Sequence, residues 1–178
     1  SAPGGVAASD GQYTNKVVVS WEAAEGATSY EIWKRAEGGV ESNIYRTSGT
    51  SYQDKNVGEG VSYQYAVKAK NSRYESALSA SDGGYTLGRP SGVAASDGTY
   101  EGKIRVSWAA VAGATGYEVW RGTKSALSGA TKIGEASGSA VTYDDTTAAV
   151  GSSYYYWVKA KNSATSGGLA GGDSGYVA

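Results

Sequence analysis

A chain of 178 residues with 16 basic and 17 acidic side chains, net charge −1, offers no electrostatic footprint for nucleic acid or an anionic membrane, and none of its apolar runs nears the ~18 residues of a spanning helix. The absence of histidine removes imidazole-based acid–base and nucleophilic catalysis and the commonest nitrogen ligand of zinc, while the absence of cysteine removes any disulfide framework. With Phe, Met and Cys all missing, 15 tyrosines and 5 tryptophans carry the aromatic load, so a core must be assembled from Tyr, Trp, Val, Ile and Ala.

In chain order, each of two copies of one pattern opens on a proline, Pro3 and Pro90, followed by the identical heptapeptides Gly5–Gly11 and Gly92–Gly98. A proline at the start suits an edge strand, because it has no N–H to donate to a neighbour. Asp10-Gly11 and Asp97-Gly98 read as turns. The segments 16–23 and 103–110 alternate, placing Val17, Val19 and Trp21 on one face and Ile104, Val106 and Trp108 on its counterpart. Turn-plus-strand segments follow at 25–35 and 112–122. In them Tyr30 and Ile32 oppose Glu31 and Trp33, as Tyr117 and Val119 oppose Glu118 and Trp120. Short strands are predicted near 43–47 and 51–54, a long one at 63–71 and a last one around 77–85. The long strand puts Tyr63, Tyr65, Val67 and Ala69 on the core side and Gln64, Ala66, Lys68 and Lys70 on the wet side; YQYAVKAKNS returns as YYYWVKAKNS from Tyr154.

The spacing between copies is 87 up to Trp21 and Trp108 and 91 from Tyr52 and Tyr143 onward, which places an insertion of four residues in the Gly/Ser-rich run 122–138. Strands this short with turns every 8 to 12 residues or so describe a β-sandwich, here two in succession, residues 1–87 and 88–178. The connector 86–91 is short enough to predict a semi-rigid pair with bending at Gly88. Ser1 and Ala178 fall at repeat boundaries, which suits either excision from a longer array or a mature protein of two modules.

These residues resemble the fibronectin type III family over essentially the whole chain, in two copies. The resemblance rests on a tryptophan ending the second strand (Trp21, Trp108) and a Gly-x-x-x-Tyr-x-aliphatic third strand (Gly26, Tyr30, Ile32; Gly113, Tyr117, Val119). It rests also on Gly-x-x-Tyr-x-x-x-Val-x-Ala through the sixth (Gly60, Tyr63, Val67, Ala69; Gly151, Tyr154, Val158, Ala160). It implies an all-β fold of two consecutive seven-stranded immunoglobulin-like sandwiches. It also implies that Tyr63 and Tyr154 are tyrosine-corner residues, their hydroxyls bonded back to the preceding loop. One departure is glycine in place of the leucine-proline expected before the corner, with Val57 and Val150 as the nearest apolar residues.

Functional candidates are few. Trp33, Trp120 and Trp157 lie by alternation opposite the core. Because the resemblance makes the third and sixth strands neighbours, Trp120, Trp157 and Tyr155 are expected together on an outer face, where the first copy has Ala66 and Gln64 instead. Exposed aromatics stack on sugar rings or centre a protein contact. Alternatively, tryptophans and lysine stems cover each other, Lys159 and Arg121 adding cation–π contacts. In the loop 71–76, where some members of the family carry an integrin-binding Arg-Gly-Asp, this chain has Arg73-Tyr74-Glu75. Arg73 and Tyr74 are hot-spot types on what otherwise reads as a solvated loop. Asp10, Asp54, Asp97, Asp144 and Asp145 form no alternating calcium loop and read as turn residues. Glu22 and Glu25 lack an apolar pocket to part their acidities. No cofactor, metal or catalytic group is therefore expected. The composition, rich in Gly, Ser, Thr and Ala and free of sulfur, suits a secreted or cell-surface bacterial protein. The resulting reading is a non-catalytic extracellular spacer or interaction module. The alternatives are a carbohydrate- or protein-binding module using the second copy's aromatic face, or a self-assembling structural subunit paired through open sandwich edges.

Overall fold

The computed structural model describes all residues from Ser1 to Ala178 and contains strands and turns but no helix. It divides into two compact units, Ser1–Thr86 and Leu87–Ala178. The first holds β1 (Ala7–Ala8), β2 (Val17–Ser20), β3 (Ser29–Ala36), β4 (Ser42–Thr47), β5 (Ser51–Asp54), β6 (Ser62–Lys70) and β7 (Asp82–Tyr85). These form a three-stranded sheet, β1-β2-β5, and a four-stranded sheet, β4-β3-β6-β7. The second holds β8 (Ala94–Ala95), β9 (Ile104–Ser107), β10 (Gly116–Gly122), β11 (Thr131–Ser137), β12 (Thr142–Asp145), β13 (Ser153–Lys161) and β14 (Ala170–Tyr176). Its sheets, β8-β9-β12 and β11-β10-β13-β14, repeat the order of the first. Every pairing within the sheets is antiparallel.

Period-two alternation selects the core. Val17, Val19, Ile32, Tyr65 and Val67 are fully buried in the first unit and Ile104, Val106, Tyr117, Val119, Tyr156 and Val158 in the second. Trp21 and Trp108, just beyond the ends of β2 and β9, are each 5% exposed and lean on Tyr30 and Tyr117 with ring centroids 5.5 and 5.2 Å apart. The tyrosine hydroxyls reach the core rim as the chemistry requires: Tyr30 Oη accepts from Ala24 N at 2.9 Å and Tyr117 Oη from Val111 N at 2.8 Å. The corner bonds form too. Tyr63 Oη accepts from Gly58 N at 2.9 Å, and Tyr154 Oη lies 3.5 Å from Ala149 N.

Two details depart from the sequence reading, and one strand reaches its expected extent by an unexpected route. The last strand of the first unit begins at Asp82, not near Ala77. Upstream of it the Ser76 and Ser79 hydroxyls accept from Ala69 N and Val67 N, taking β6 donors that a ladder would otherwise use. In the second unit β14 does extend back to Ala170. It does so through a register shift at which Gly171 and Gly172 adopt φ of 118° and 101°, a region closed to residues with a Cβ. Finally, the insertion is divided. The bulge residues Ile44 and Ile133 are 89 positions apart, so two residues enter before β11 and two more between β11 and β12.

Candidate functional site

The outer face of each four-stranded sheet carries a tryptophan set among ion pairs. In the first unit β3 places Trp33 opposite Ala66 of β6, and Lys68 Nζ lies 5.1 Å from its ring centroid. Beside it Glu31, only 8% exposed, accepts from both Arg46 and Lys70. Those two hydrogen bonds outweigh burial and hold the Glu31 carboxyl below the usual carboxylate range. Lys68 and Lys70 also reach Glu75, at 3.6 and 3.1 Å.

In the second unit Trp120 of β10 stands opposite Trp157 of β13. Trp120 Nε1 donates to Glu118 at 3.2 Å, and Lys159 joins the same carboxylate at 3.0 Å while lying 5.6 Å from the Trp120 centroid. Burial pushes the Glu118 pKa up, but the Lys159 and Trp120 donors more than offset it and leave the pKa below its ordinary value. The expected mutual cover of tryptophan and Lys159 is thus present.

Trp157 requires a correction. It lies on the outer face as alternation demands, yet it is 4% exposed. The reason lies in its neighbours across the sheet: Cβ atoms built at Gly122 and Gly172 would come within 3.3 Å and 3.2 Å of the indole, so two glycines clear a lane in which the ring lies down. Tyr155 lies nearby, with centroids 6.5 Å apart and planes inclined by 30°, and is itself half-buried, as are Trp33 and Trp120. The three aromatics are brought together, but they do not form an open platform.

Arg121 is also elsewhere than expected. Alternation turns it to the core rim, where it lies 4.5 Å from the Tyr154 centroid and bonds Asp145 at 2.7 Å. Asp145 is 1% exposed and accepts from Tyr156 Oη at 2.8 Å and Thr147 N at 2.9 Å. The first unit repeats this with Asp54, Tyr65 Oη at 2.9 Å, Asn56 N at 2.9 Å and Lys34 at 2.7 Å, with Lys34 Nζ 4.0 Å from the Tyr63 centroid. These aspartates do make turns, but they are also the buried acceptors that anchor a core tyrosine and a cation. Sequence reasoning missed that role. Its signal was available: Asp and Tyr recur together at spacing 91, and a basic residue recurs at 34 and 121. Burial and the aspartate bond push the Tyr65 and Tyr156 phenols far up.

Arg73 and Tyr74 lie on the loop after β6 in the first unit, whereas Trp120, Tyr155 and Trp157 belong to the second. Both are exposed, Tyr74 to 75%, and their backbone N–H groups are held by Asn71 Oδ1 at 3.0 and 2.9 Å. Asn162 holds Ala164 and Thr165 identically. This loop is therefore a shaped turn common to both units. No cluster of three or more acidic residues, with or without other donors, is arranged to hold a metal ion, and no helix is long and apolar enough to cross a membrane.

No protein-family profile matches the chain. Among curated proteins it is similar to the amylopullulanase of Thermoanaerobacterium saccharolyticum, 39% identical over 69 residues, and to that of Thermoanaerobacterium thermosulfurigenes, 37% identical over 70 residues. Each match takes in 38% of this chain but only 5% and 4% of the respective relatives, so the chain spans a small fraction of their length. Among solved structures, a two-domain fibronectin type III segment of chicken tenascin is 17% identical with a TM-score of 0.49, over 96% of this chain and 97% of that one. An Fn3-like protein from Clostridium thermocellum is 30% identical with a TM-score of 0.45, over 48% of this chain and 92% of that one. The three-plus-four sheet order, the buried tryptophan and the tyrosine corner, all present twice, are the features of the fibronectin type III sandwich.

Proposed function

We propose that this chain, two fibronectin type III-like sandwiches in tandem, serves as a non-catalytic spacer and interaction module within a larger extracellular or surface-attached bacterial protein. The observation that carries this reading is how completely each sandwich uses its own reactive-looking groups. The buried aspartates are bound by a tyrosine, a cation and a backbone N–H, and the outer-face glutamates are held ionised by lysine and arginine. A general acid needs a proton near neutral pH, and Glu31, Glu118 and Asp145 are shifted the other way. The similarity to short stretches of long amylopullulanases supports a role as one part of a multidomain chain.

The edges argue for a monomer. β1 and β8 are only two residues long, and β4 and β11 carry charged side chains, which discourages pairing between molecules. The test is light scattering over a wide concentration range, combined with turnover assays on glycoside, ester and peptide substrates. The expected result is a concentration-independent monomer with no turnover above buffer. Hydrolysis, or growth of mass with concentration, would overturn the reading, the latter in favour of a self-assembling subunit.

A further inference from the structure

The first unit has a cleft that neither its core nor its ion-pair network explains. It opens between the hairpin joining β3 to β4 and the start of β6, has a volume of about 490 Å³, and is lined by Arg35, Glu37, Ser62, Tyr63 and Gln64 together with the Gly38-Gly39 turn. That volume falls within the ~300 to 1,000 Å³ usual for small-molecule sites. The wall is preformed: Gly38 adopts φ of 68° and Gly39 N bonds Ala36 O at 3.0 Å, closing a tight turn. The opposite wall belongs to the sheet, where Arg35 pairs with Gln64 and Ala36 with Tyr63.

The chemistry of the lining is unusual for this protein. The ion pairs of the first unit run Glu31 to Arg46 and Lys70, Glu75 to Lys68 and Lys70, and Asp54 to Lys34, and they leave Arg35 and Glu37 out. Arg35, Glu37, Gln64 and Ser62, which carry a guanidinium, a carboxylate, a carboxamide and a hydroxyl, thus line a common space with zero net charge among them, the Tyr63 hydroxyl being taken by Gly58 N. An anionic ligand would be repelled by Glu37 and a cationic one by Arg35. A neutral ligand whose groups donate and accept at once meets all four. Vicinal hydroxyls have that property. Gly83 leaves room for the amide, because a Cβ there would lie 3.0 Å from Gln64 Nε2.

The second unit supplies an internal contrast. At the corresponding positions it has Gly122, Lys124 and Tyr155 in place of Arg35, Glu37 and Gln64, and its β10–β11 loop is longer. The fold is the same, but the balanced set of donors and acceptors is gone.

We propose that this cleft is a binding site for a neutral carbohydrate, one or two sugar units in length, at the hairpin end of the first sandwich. The proposal goes beyond the spacer reading, which stands whether or not the site binds. The test is a titration of the isotopically labelled full chain with maltose, cellobiose and xylobiose, followed by amide NMR. The expected result is saturable shifts confined to residues 35–39 and 62–64 and to the Gln64 side-chain amide, with half-saturation at about 1 mM for at least one sugar. Arg35→Ala and Gln64→Ala, both surface changes, are each expected to weaken binding about tenfold, the loss of one charge-assisted or paired hydrogen-bond set. Gly83→Ala, which displaces the amide without removing it, is expected to weaken binding less. No shift with any of the sugars, shifts centred on Trp120 and Tyr155, or full binding by the Arg35→Ala, Gln64→Ala double variant would each overturn the proposal.

Discussion

The two sandwiches solve the same edge in opposite ways. In the first, Tyr45 of β4 stacks on Tyr52 of β5, centroids 4.5 Å apart and planes 20° from parallel, closing the gap between the sheets with two rings. In the second the position of Tyr45 is taken by Gly134, and Tyr143, the counterpart of Tyr52, folds into the vacated space and donates to Ile133 O at 3.2 Å. One position further along, Arg46, which neutralises the buried Glu31, is replaced by Glu135, which pairs instead with Lys132 at 2.8 Å and Lys161 at 2.7 Å. Glu118 is then served by Lys159. The comparison teaches that the fold demands a filled edge and a compensated glutamate, but does not dictate which side chain supplies either.

What the two units share should be the most expensive to remove. Trp21→Ala and Trp108→Ala are each expected to destabilise their own sandwich by about 3 to 5 kcal/mol. Hydrogen exchange on the full chain, read separately for residues 1–86 and 87–178, would show the loss confined to the mutated half. Equal loss in both halves would mean that they do not fold as separate units. Next come Asp54→Ala and Asp145→Ala, which strand a tyrosine hydroxyl and a cation. About 3 kcal/mol is expected, at the low end for broken buried pairs because Lys34 and Arg121 keep side-chain exposures of 11% and 21%. Tyr65→Phe and Tyr156→Phe, which remove only the hydroxyl, should cost about 1 kcal/mol, and denaturant titrations of these and of the aspartate variants check both figures.

The edge difference itself can be broken at one residue. A Cβ at Gly134 would stand 2.3 Å from Tyr143 Oη, so Gly134→Ala should cost the second unit about 1 to 3 kcal/mol through overpacking, and Tyr143→Ala introduced with it should recover part of that loss. Tyr45→Gly in the first unit, the mirror change, loses a ring stack worth about 0.5 to 1.5 kcal/mol. If Gly134→Ala were neutral, the packing of Tyr143 into the glycine's place would be wrong.

Acid should separate the units by the smallest margin. Glu118, Glu135, Asp144 and Asp145 in the second unit and Glu31 and Glu75 in the first have acidities strengthened by folding, Glu135 to about 2. A carboxyl whose folded-state pKa is depressed contributes stability above its unfolded value, near 4, and loses it as pH falls through the folded value. Asp10, raised by burial and by Asp82, works in the opposite direction in the first unit. Lowering the pH from 5 toward 2 is therefore expected to weaken the second sandwich more than the first. Because Glu75 and Glu135 are surface groups, added salt should narrow the gap. Hydrogen exchange at several acid pH values checks the order, and a first unit that opens earlier would contradict it.

Most strand positions, the twofold repetition of the pattern and the burial of Trp21 and Trp108 were legible from residue order, because they depend on alternation along one strand and on turn residues between strands. The fate of the outer-face aromatics was not. Alternation says which side of a sheet Trp157 leaves from, but its burial depends on Gly122 and Gly172, which arrive from two other strands. In the same way Arg121 looked like a companion for tryptophan until Asp145, 24 residues away, claimed it. The chain's order thus determined which residues face inward and how often the pattern repeats. Tertiary structure alone decided which outward-facing rings are covered, which acids are neutralised by which cations, and that Arg35, Glu37 and Gln64 line one cleft, since each of these turns on segments distant in sequence being brought together.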